Sequence, residues 1–298
     1  MVRVREAQVA GSFYPADRDE LVRVIESCFL DKVFGPGRLP GPPGSVGIEP
    51  VGGVAPHAGY TYSGACAAHL YLVLGEAGFR PDTVVVIGTN HTGYGGVYTT
   101  TSFFDAWETP LGLVPVDKEM VELLKKLDPD LVDNVSAHLG EHSVEVQLPF
   151  LQYIYGHGFR LVPIVAMEAS RGMAARLAEA IIEASRRLGR ETLVIASSDF
   201  THHGPWYGYV VFTENIAENV RRLDLSIIEE ILRLDTEGFL KRIMETGATV
   251  CGVGAIAATI EYVRRVGGRA RLLKYYNSAE KTGDETATVG YASILFHR

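Results

Sequence analysis

Three short apolar segments of this chain run straight into histidine. Residues 51–55 lead into Pro56-His57-Ala58-Gly59-Tyr60, and residues 83–87 into Gly88-Thr89-Asn90-His91. Residues 192–196 lead into Ser197-Ser198-Asp199-Phe200-Thr201-His202-His203-Gly204. The chain has nine histidines among 298 residues, so their gathering at the ends of apolar runs is not what independent scatter gives. Imidazole exchanges protons near neutral pH and binds borderline metals. Several imidazoles at one edge of a sheet therefore point to a polar pocket that holds a metal ion, moves protons, or does both.

Cys251 stands apart from the other two cysteines. It lies in Thr249-Val250-Cys251-Gly252-Val253-Gly254, just ahead of a helical pattern over 255–266. A helix N-terminus favours negative charge, so a thiol there ionises more readily. One thiolate with two neutral imidazoles is a sound donor set for iron, copper or zinc. Cys28, Cys66 and His69 fall inside helical patterns and read as packed residues, and three cysteines without a CxxC pair give no disulfide framework. The run Glu141-His142-Ser143-Val144-Glu145 is not HExxH, which removes the zinc-protease reading. If a helix starts at His142, then His142 and Glu145 share a face and can reach the pocket rim. Ser197 or Ser198 with Asp199 and His202 has the composition of a serine hydrolase, but no GxSxG elbow exposes a nucleophile. Neither GxxxxGK[ST] nor a GxGxxG that follows a strand and opens a helix is present, which disfavours nucleotide binding.

The elements that must position these residues alternate in type. Apolar runs at 51–55, 83–87, 160–165, 192–196, 270–275 and 287–295 predict strands, several of them apolar on both faces. Helical patterns cover 17–31, 63–76, 117–127, 142–155, 170–188, 213–233, 235–245 and 251–266, with Ser63, Asp117 and Ser170 as N-caps. Residues 97–104 offer an extra strand, and the two C-terminal runs are placed to pair antiparallel. Strands alternating with helices predict one α/β domain over 1–298, an α/β/α sandwich around a mostly parallel or mixed sheet. Ligands in such folds bind where the carboxyl ends of the strands meet helix N-termini, which is where the histidines lie. Residues 35–50 hold ten Gly or Pro in sixteen and predict a surface loop, too near the N-terminus to divide two domains.

Bulk composition bounds the partners. A formal charge of −8, with basic residues scattered in pairs, argues against nucleic acid or an anionic membrane as partner. No apolar run approaches a membrane span and the start lacks a signal-peptide core, so the expected location is cytoplasmic. Three Gln and five Asn against abundant Arg and Glu is the bias of heat-adapted proteins, pointing to a thermophile. A homodimer is the base-rate expectation for assembly.

The segments APHAGYTYSG, GTNHTGYGG, EHSVEVQLPF, SSDFTHHG and TVCGVGAI, in this order, resemble the Memo-like family, and the opening REAQVAGSFYPAD is similar to that family's start. The resemblance spans nearly the whole chain. It implies a fold related to the class III extradiol dioxygenases, which hold ferrous iron through two histidines and a glutamate and use a further histidine as acid/base. Carried over by motif, it implies that His57 and His91 are metal ligands and that Cys251 stands where those enzymes have a carboxylate. It places His202, oriented or tuned by Asp199, at the acid/base position, and it places His142 in the pocket. Because thiolate is softer and more easily oxidised than carboxylate, ring cleavage is not inherited with the fold.

The expectation is a non-haem, metal-dependent redox or oxygenase-like enzyme acting on a small molecule. His57, His91 and Cys251 would hold iron or copper ahead of zinc, and His202 and Asp199 would handle protons. His142, Glu145, Asn90, Tyr60 and His203 would line the pocket. The rival is a non-catalytic protein, with no cofactor, that recognises a small ligand or peptide through the same cleft.

Overall fold

Parallel pairing in the middle of one sheet decides where the histidines go. In the computed structural model, which describes residues 2–298, the N-terminal part contains β1 (Val4–Arg5), α1 (Arg18–Leu30), β2 (Pro50–Ala55), α2 (Tyr60–Glu76) and β3 (Thr83–Thr89). There follow β4 (Tyr98–Thr100), β5 (Ala106–Thr109), β6 (Gly112–Pro115), α3 (Lys118–Leu127), β7 (Leu131–Asp133), α4 (Leu148–Tyr155) and β8 (Arg160–Ala166). The C-terminal part adds α5 (Arg171–Leu188), β9 (Thr192–Ser197), β10 (His202–His203), α6 (Ile216–Leu232), α7 (Thr236–Thr246) and α8 (Val253–Arg265). It closes with β11 (Arg269–Asn277), α9 (Ser278–Thr282) and β12 (Thr288–His297).

The main sheet has the order β10-β12-β2-β9-β3-β8-β4-β7, with β11 also paired to β12. Its centre, β2-β9-β3-β8, is parallel and almost wholly buried, as Val- and Ile-rich strands covered on both faces must be. Register aligns the carboxyl ends: Ala55 is level with Ser197, and Ile87 with Ala196. The residues that leave β2, β3 and β9 therefore emerge side by side. Helices α1, α2 and α4 pack together over one face, while α5, α7 and α8 pack over the other. Helix α2 lies so close to β2 that a Cβ at Gly53 would sit 2.6 Å from the Leu70 side chain. Among the described residues no helix is long and apolar enough to cross a membrane.

All six predicted strands form, β11 and β12 pair antiparallel, and residues 97–104 contribute β4. Asp117 and Ser170 cap α3 and α5 as expected. Three helix starts differ by three residues or more, among them α6, which begins at Ile216 rather than at residue 213. Helix α2 begins at Tyr60 behind Gly59, and the Ser63 hydroxyl instead donates back to the Ala58 carbonyl. The helix expected over 142–155 begins only at Leu148, with Pro149 in its first turn. Ahead of it, the amides of His142 and Ser143 are spent on the Glu141 carboxylate, so that stretch is a loop ending in a short 3-10 turn.

That loop is clamped by the N-terminus. Arg5 on β1 is 1% exposed and lies 4.0 Å over the Trp107 ring. Its guanidinium donates to the carbonyls of His138 and Glu141 and to Glu145 Oε2 at 2.7 Å. Glu145 also accepts from the amides of Gln8 and Val9 and from the Tyr14 hydroxyl. Truncating one partner of such a pair leaves a buried charge alone, a loss of about 3–5 kcal/mol. Glu145→Ala is therefore expected to lose stability on that scale in urea unfolding. A loss below about 1 kcal/mol, the ordinary worth of a surface pair, would contradict the clamp.

Candidate functional site

Four side chains from four separate segments meet at the carboxyl edge. His57 follows β2, His91 follows β3, His142 sits on the clamped loop, and Cys251 immediately precedes Gly252, the N-cap of α8. Each of the three histidines offers a ring nitrogen within 4.8 Å of the others. His91 stacks on His142 with centroids 4.6 Å apart, and His57 meets both edge-on. Cys251 Sγ lies 3.3 Å from His57 Nε2.

Hydrogen bonds decide which nitrogen His57 and His91 offer. The Ser197 hydroxyl donates its one proton to the Ser143 carbonyl at 2.6 Å. It can then only accept from His57 Nδ1 at 3.0 Å, so Nδ1 carries hydrogen and Nε2 faces Cys251. His91 Nδ1 sits 2.9 Å from Glu141 Oε1 and must donate to that carboxylate, which likewise leaves Nε2 for the site. Glu141 is 1% exposed and also accepts the backbone amides of His91, His142 and Ser143. A carboxylate or hydroxyl behind an imidazole is the usual support of a metal-binding histidine.

In the metal-free site the charges pair with one another instead, so a metal ion would have to displace the Nε2 protons of His57 and His91. Burial alone would raise the Cys251 thiol, yet His57 and His91 outweigh it and hold the thiol well below its ordinary range. The Asp199 amide also donates to Sγ at 3.2 Å. Burial alone would lower His57 and His91, but the thiolate, Asp199 and Glu141 carry them up to about 9 and about 10. Burial, aided by the charge of His57, pushes His142 down to about 4, so it stays a neutral donor. Burial raises Glu141 in principle, but His91 and the loop amides bring it down to about 2. Cys28 and Cys66 have no such neighbours, and burial pushes both up to about 12.

His202 also reaches the cleft. Its Nδ1 lies 2.9 Å from the Phe200 carbonyl and 3.1 Å from that of Thr249, so Nδ1 donates and Nε2 is left to accept a proton. These two carbonyls, rather than Asp199, set the ring. Asp199 instead accepts the His57 amide at 2.8 Å, and the Ala58 amide, on Oδ1. Ser198 donates to the Asp199 carbonyl and accepts from the Gly252 amide, which leaves it no base and removes the hydrolase reading.

Four residues expected in the pocket wall do not line it. Glu145 turns inward to Arg5, because the stretch it occupies is not the helix that would have aimed it outward. Tyr60 donates to the Val146 carbonyl from inside the core. Asn90 closes a turn on Thr92 and Gly93, and so shapes the loop that carries His91. His203 follows His202 on a strand, where successive side chains face opposite ways, and its Nε2 accepts from Val211 and Phe212. All four support the site from behind.

The cleft itself is a cavity of about 590 Å³. Besides His57, His91, His142, His202 and Asp199, its walls include Phe13, Tyr62 and Tyr207, with Tyr291, Asp284 and neighbours from the C-terminal hairpin. Sequence reading missed that C-terminal wall, and it missed Glu141 and Ser197 as supports. The one available signal was the position of Glu141 directly before His142.

The Memo family, described as Memo-like protein, matches residues 5–295. MEMO1 family protein MK0963 of Methanopyrus kandleri is 43% identical, with 99% of each chain covered. A MEMO1 family protein of Desulfurococcus amylolyticus is 42% identical over 99% of this chain and 100% of its own, and one of Aeropyrum pernix is 39% identical over 98% and 99%.

Two outcomes test this arrangement. An ordinary thiol loses thiolate tenfold for each pH unit below its pKa, whereas Cys251 should keep it. Alkylation of Cys251 by iodoacetamide should therefore be nearly flat from about pH 7 to 8.5 in the metal-free protein, with Cys28 and Cys66 silent until unfolding. A tenfold rise per pH unit would refute the paired thiolate. Glu141→Gln should weaken binding of a divalent metal by about 10–100-fold with the fold retained. Unchanged affinity would show that Glu141 does not set the His91 tautomer.

Proposed function

Since the chain belongs to the Memo-like family, we propose that it is a metal-dependent redox enzyme acting on a small molecule at this cleft. The observation that carries the reading is the convergence of a thiolate and imidazole Nε2 atoms, each imidazole backed by its own acceptor. The donor set fits a borderline transition metal: His57, His91 and Cys251 would hold it, with His142 in reach as a further ligand. Thiolate and imidazole favour iron or copper for redox work, and zinc would fill the same donors without redox chemistry. When bound, iron or copper would supply one-electron transfer and Lewis acidity.

The chain's own residues do the remainder. Ser197 and Glu141 hold Nδ1 protons, and so keep His57 and His91 aimed inward through any change at the site. His202, with Nδ1 fixed on two carbonyls, is placed to take or give a proton at Nε2. Asp199 secures the turn that carries His57 rather than relaying protons to His202. Tyr207 packs edge-on to His202 at 5.1 Å and shields one side of it from water. His91, with 38% of its side chain exposed, leaves one side open to a ligand.

The test is elemental analysis of untagged protein beside His57→Ala, His91→Ala, His142→Ala and Cys251→Ala, with oxygen uptake measured under a mild reductant. One equivalent of iron or copper is expected, lost with His57, His91 or Cys251, together with oxygen uptake that follows the metal. Retention of metal in Cys251→Ala but not in His142→Ala would replace the thiolate with the third histidine. No metal after anaerobic reconstitution with Fe(II) would leave the non-catalytic ligand-binding reading.

A further inference from the structure

Residues 204–212 leave β10 as a short strap at the mouth of the cleft, and few contacts hold it down. Gly204 starts it at φ +137°, a backbone region open to glycine, where a Cβ would sit 2.3 Å from the Thr286 carbonyl oxygen. The strap then folds back on itself. The Gly204 amide donates to the Tyr209 carbonyl, and the Tyr207 amide to the Gly204 carbonyl. Its outer residues are apolar yet face water: Trp206 is 88% exposed, and Tyr207, Val210 and Val211 are exposed as well. With so little apolar surface buried, the position of the strap depends on a few polar contacts.

Two of those contacts converge on one nitrogen. The amides of Val211 and Phe212 both donate to His203 Nε2, at 3.2 and 3.1 Å. Nε2 therefore carries the lone pair and Nδ1 the proton, and Nδ1 is buried without a partner. Phe212 stacks on the ring and Tyr209 meets it edge-on. The Tyr209 hydroxyl donates to the Thr246 carbonyl at the end of α7. Earlier in the strap, Tyr207 packs against His202 and lines the cleft.

A second proton on the His203 ring would go to Nε2, the atom at which both amides point. One donor would then face two others, and both hydrogen bonds would be lost. The groups around the ring offer no charge in compensation. Thr288 stands opposite on β12. On the strap, Tyr209 is kept neutral by burial. Asp224 of α6 is engaged by the Thr201 amide and the Tyr275 hydroxyl, and burial raises it to about 6. No acidic side chain bonds to His203 among the described residues, and burial holds the ring below the ordinary histidine range.

We propose that His203 is a positioning residue and a proton-sensitive latch: uncharged, it holds the strap so that Tyr207 stands over His202, and a proton on Nε2 frees the strap and opens that side of the cleft. The latched form has the lower proton affinity. The latch is therefore fully present above about pH 6.5 and weakens as pH falls below it. The consequence for chemistry rests on the reading of His202 as the proton-handling group of the cleft.

The experiment is hydrogen–deuterium exchange of the metal-free full chain at about pH 7.5 and about pH 5, read on peptides and corrected for intrinsic exchange. Peptides from β3 and β9 report that the fold is intact. Residues 209–212 should be protected at the higher pH and lose about tenfold of that protection at the lower. His203→Gln, whose Oε1 accepts at both pH values, should keep the protection. Asp224 still titrates in that variant, so the two groups are separated. His203→Phe, which keeps the stack on Phe212 without an acceptor, should lose protection at both. Diethyl pyrocarbonate, which acylates uncharged imidazole, should modify His202 faster in His203→Phe than in the wild type at the higher pH. A histidine that served only fold stability would leave that rate unchanged while the core strands stay protected. Strap protection indifferent to pH, the same loss in His203→Gln as in the wild type, full protection in His203→Phe, or unchanged acylation of His202 would each overturn the proposal. None of these readouts uses metal or turnover, so failure of the redox reading, scored by metal stoichiometry and oxygen uptake, stays separate.

Discussion

Two protons on imidazole Nδ1 atoms fix what this site can offer. One is held on His57 by a serine whose own proton is committed elsewhere, and the other on His91 by a buried carboxylate. With those protons in place, each ring presents Nε2 to the space beside Cys251. Were either ring to take the other tautomer, its lone pair would face a carboxylate or a hydroxyl already in use, and the donor set would lose a member. The chemistry therefore depends less on histidine count than on the acceptors standing behind each ring.

Those acceptors in turn depend on the frame. Ser197 ends β9 in register with Ala55 of β2, so the support for His57 comes from the neighbouring parallel strand. Glu141 sits on a loop with no helical scaffold of its own. Arg5, reaching across from the N-terminal strand, holds the carbonyls of His138 and Glu141 and pairs with Glu145 in the core. A buried ion pair is costly to assemble, and here its return is the fixed position of one loop. The same loop delivers His142, which is why three histidines rather than two come within ligand reach.

Much of this was legible in the residues, and the pattern of success has a physical reason. His57, His91, His202 and Cys251 could be placed because the end of an apolar strand and the start of a helix are local features, written in a few consecutive residues. The side chains that went astray are neighbours of those residues in sequence. Asn90 precedes His91 and His203 follows His202, but adjacent residues on extended chain point to opposite sides or turn back on their own loop. Glu145 was misplaced because a helix was expected where the amides had found a side-chain acceptor instead. Arg5, Ser197 behind His57, and the wall from the C-terminal hairpin act across more than a hundred residues of chain, and no local spacing encodes such contacts.

X-ray absorption at the metal edge, on protein loaded with iron or copper, reads the atoms around the ion and so decides whether Cys251 and the histidines hold it. The thiolate–imidazole donor set should show imidazole nitrogens from more than one histidine together with one sulfur neighbour that vanishes in Cys251→Ser. A shell of nitrogen and oxygen alone, unchanged by that substitution, would contradict it.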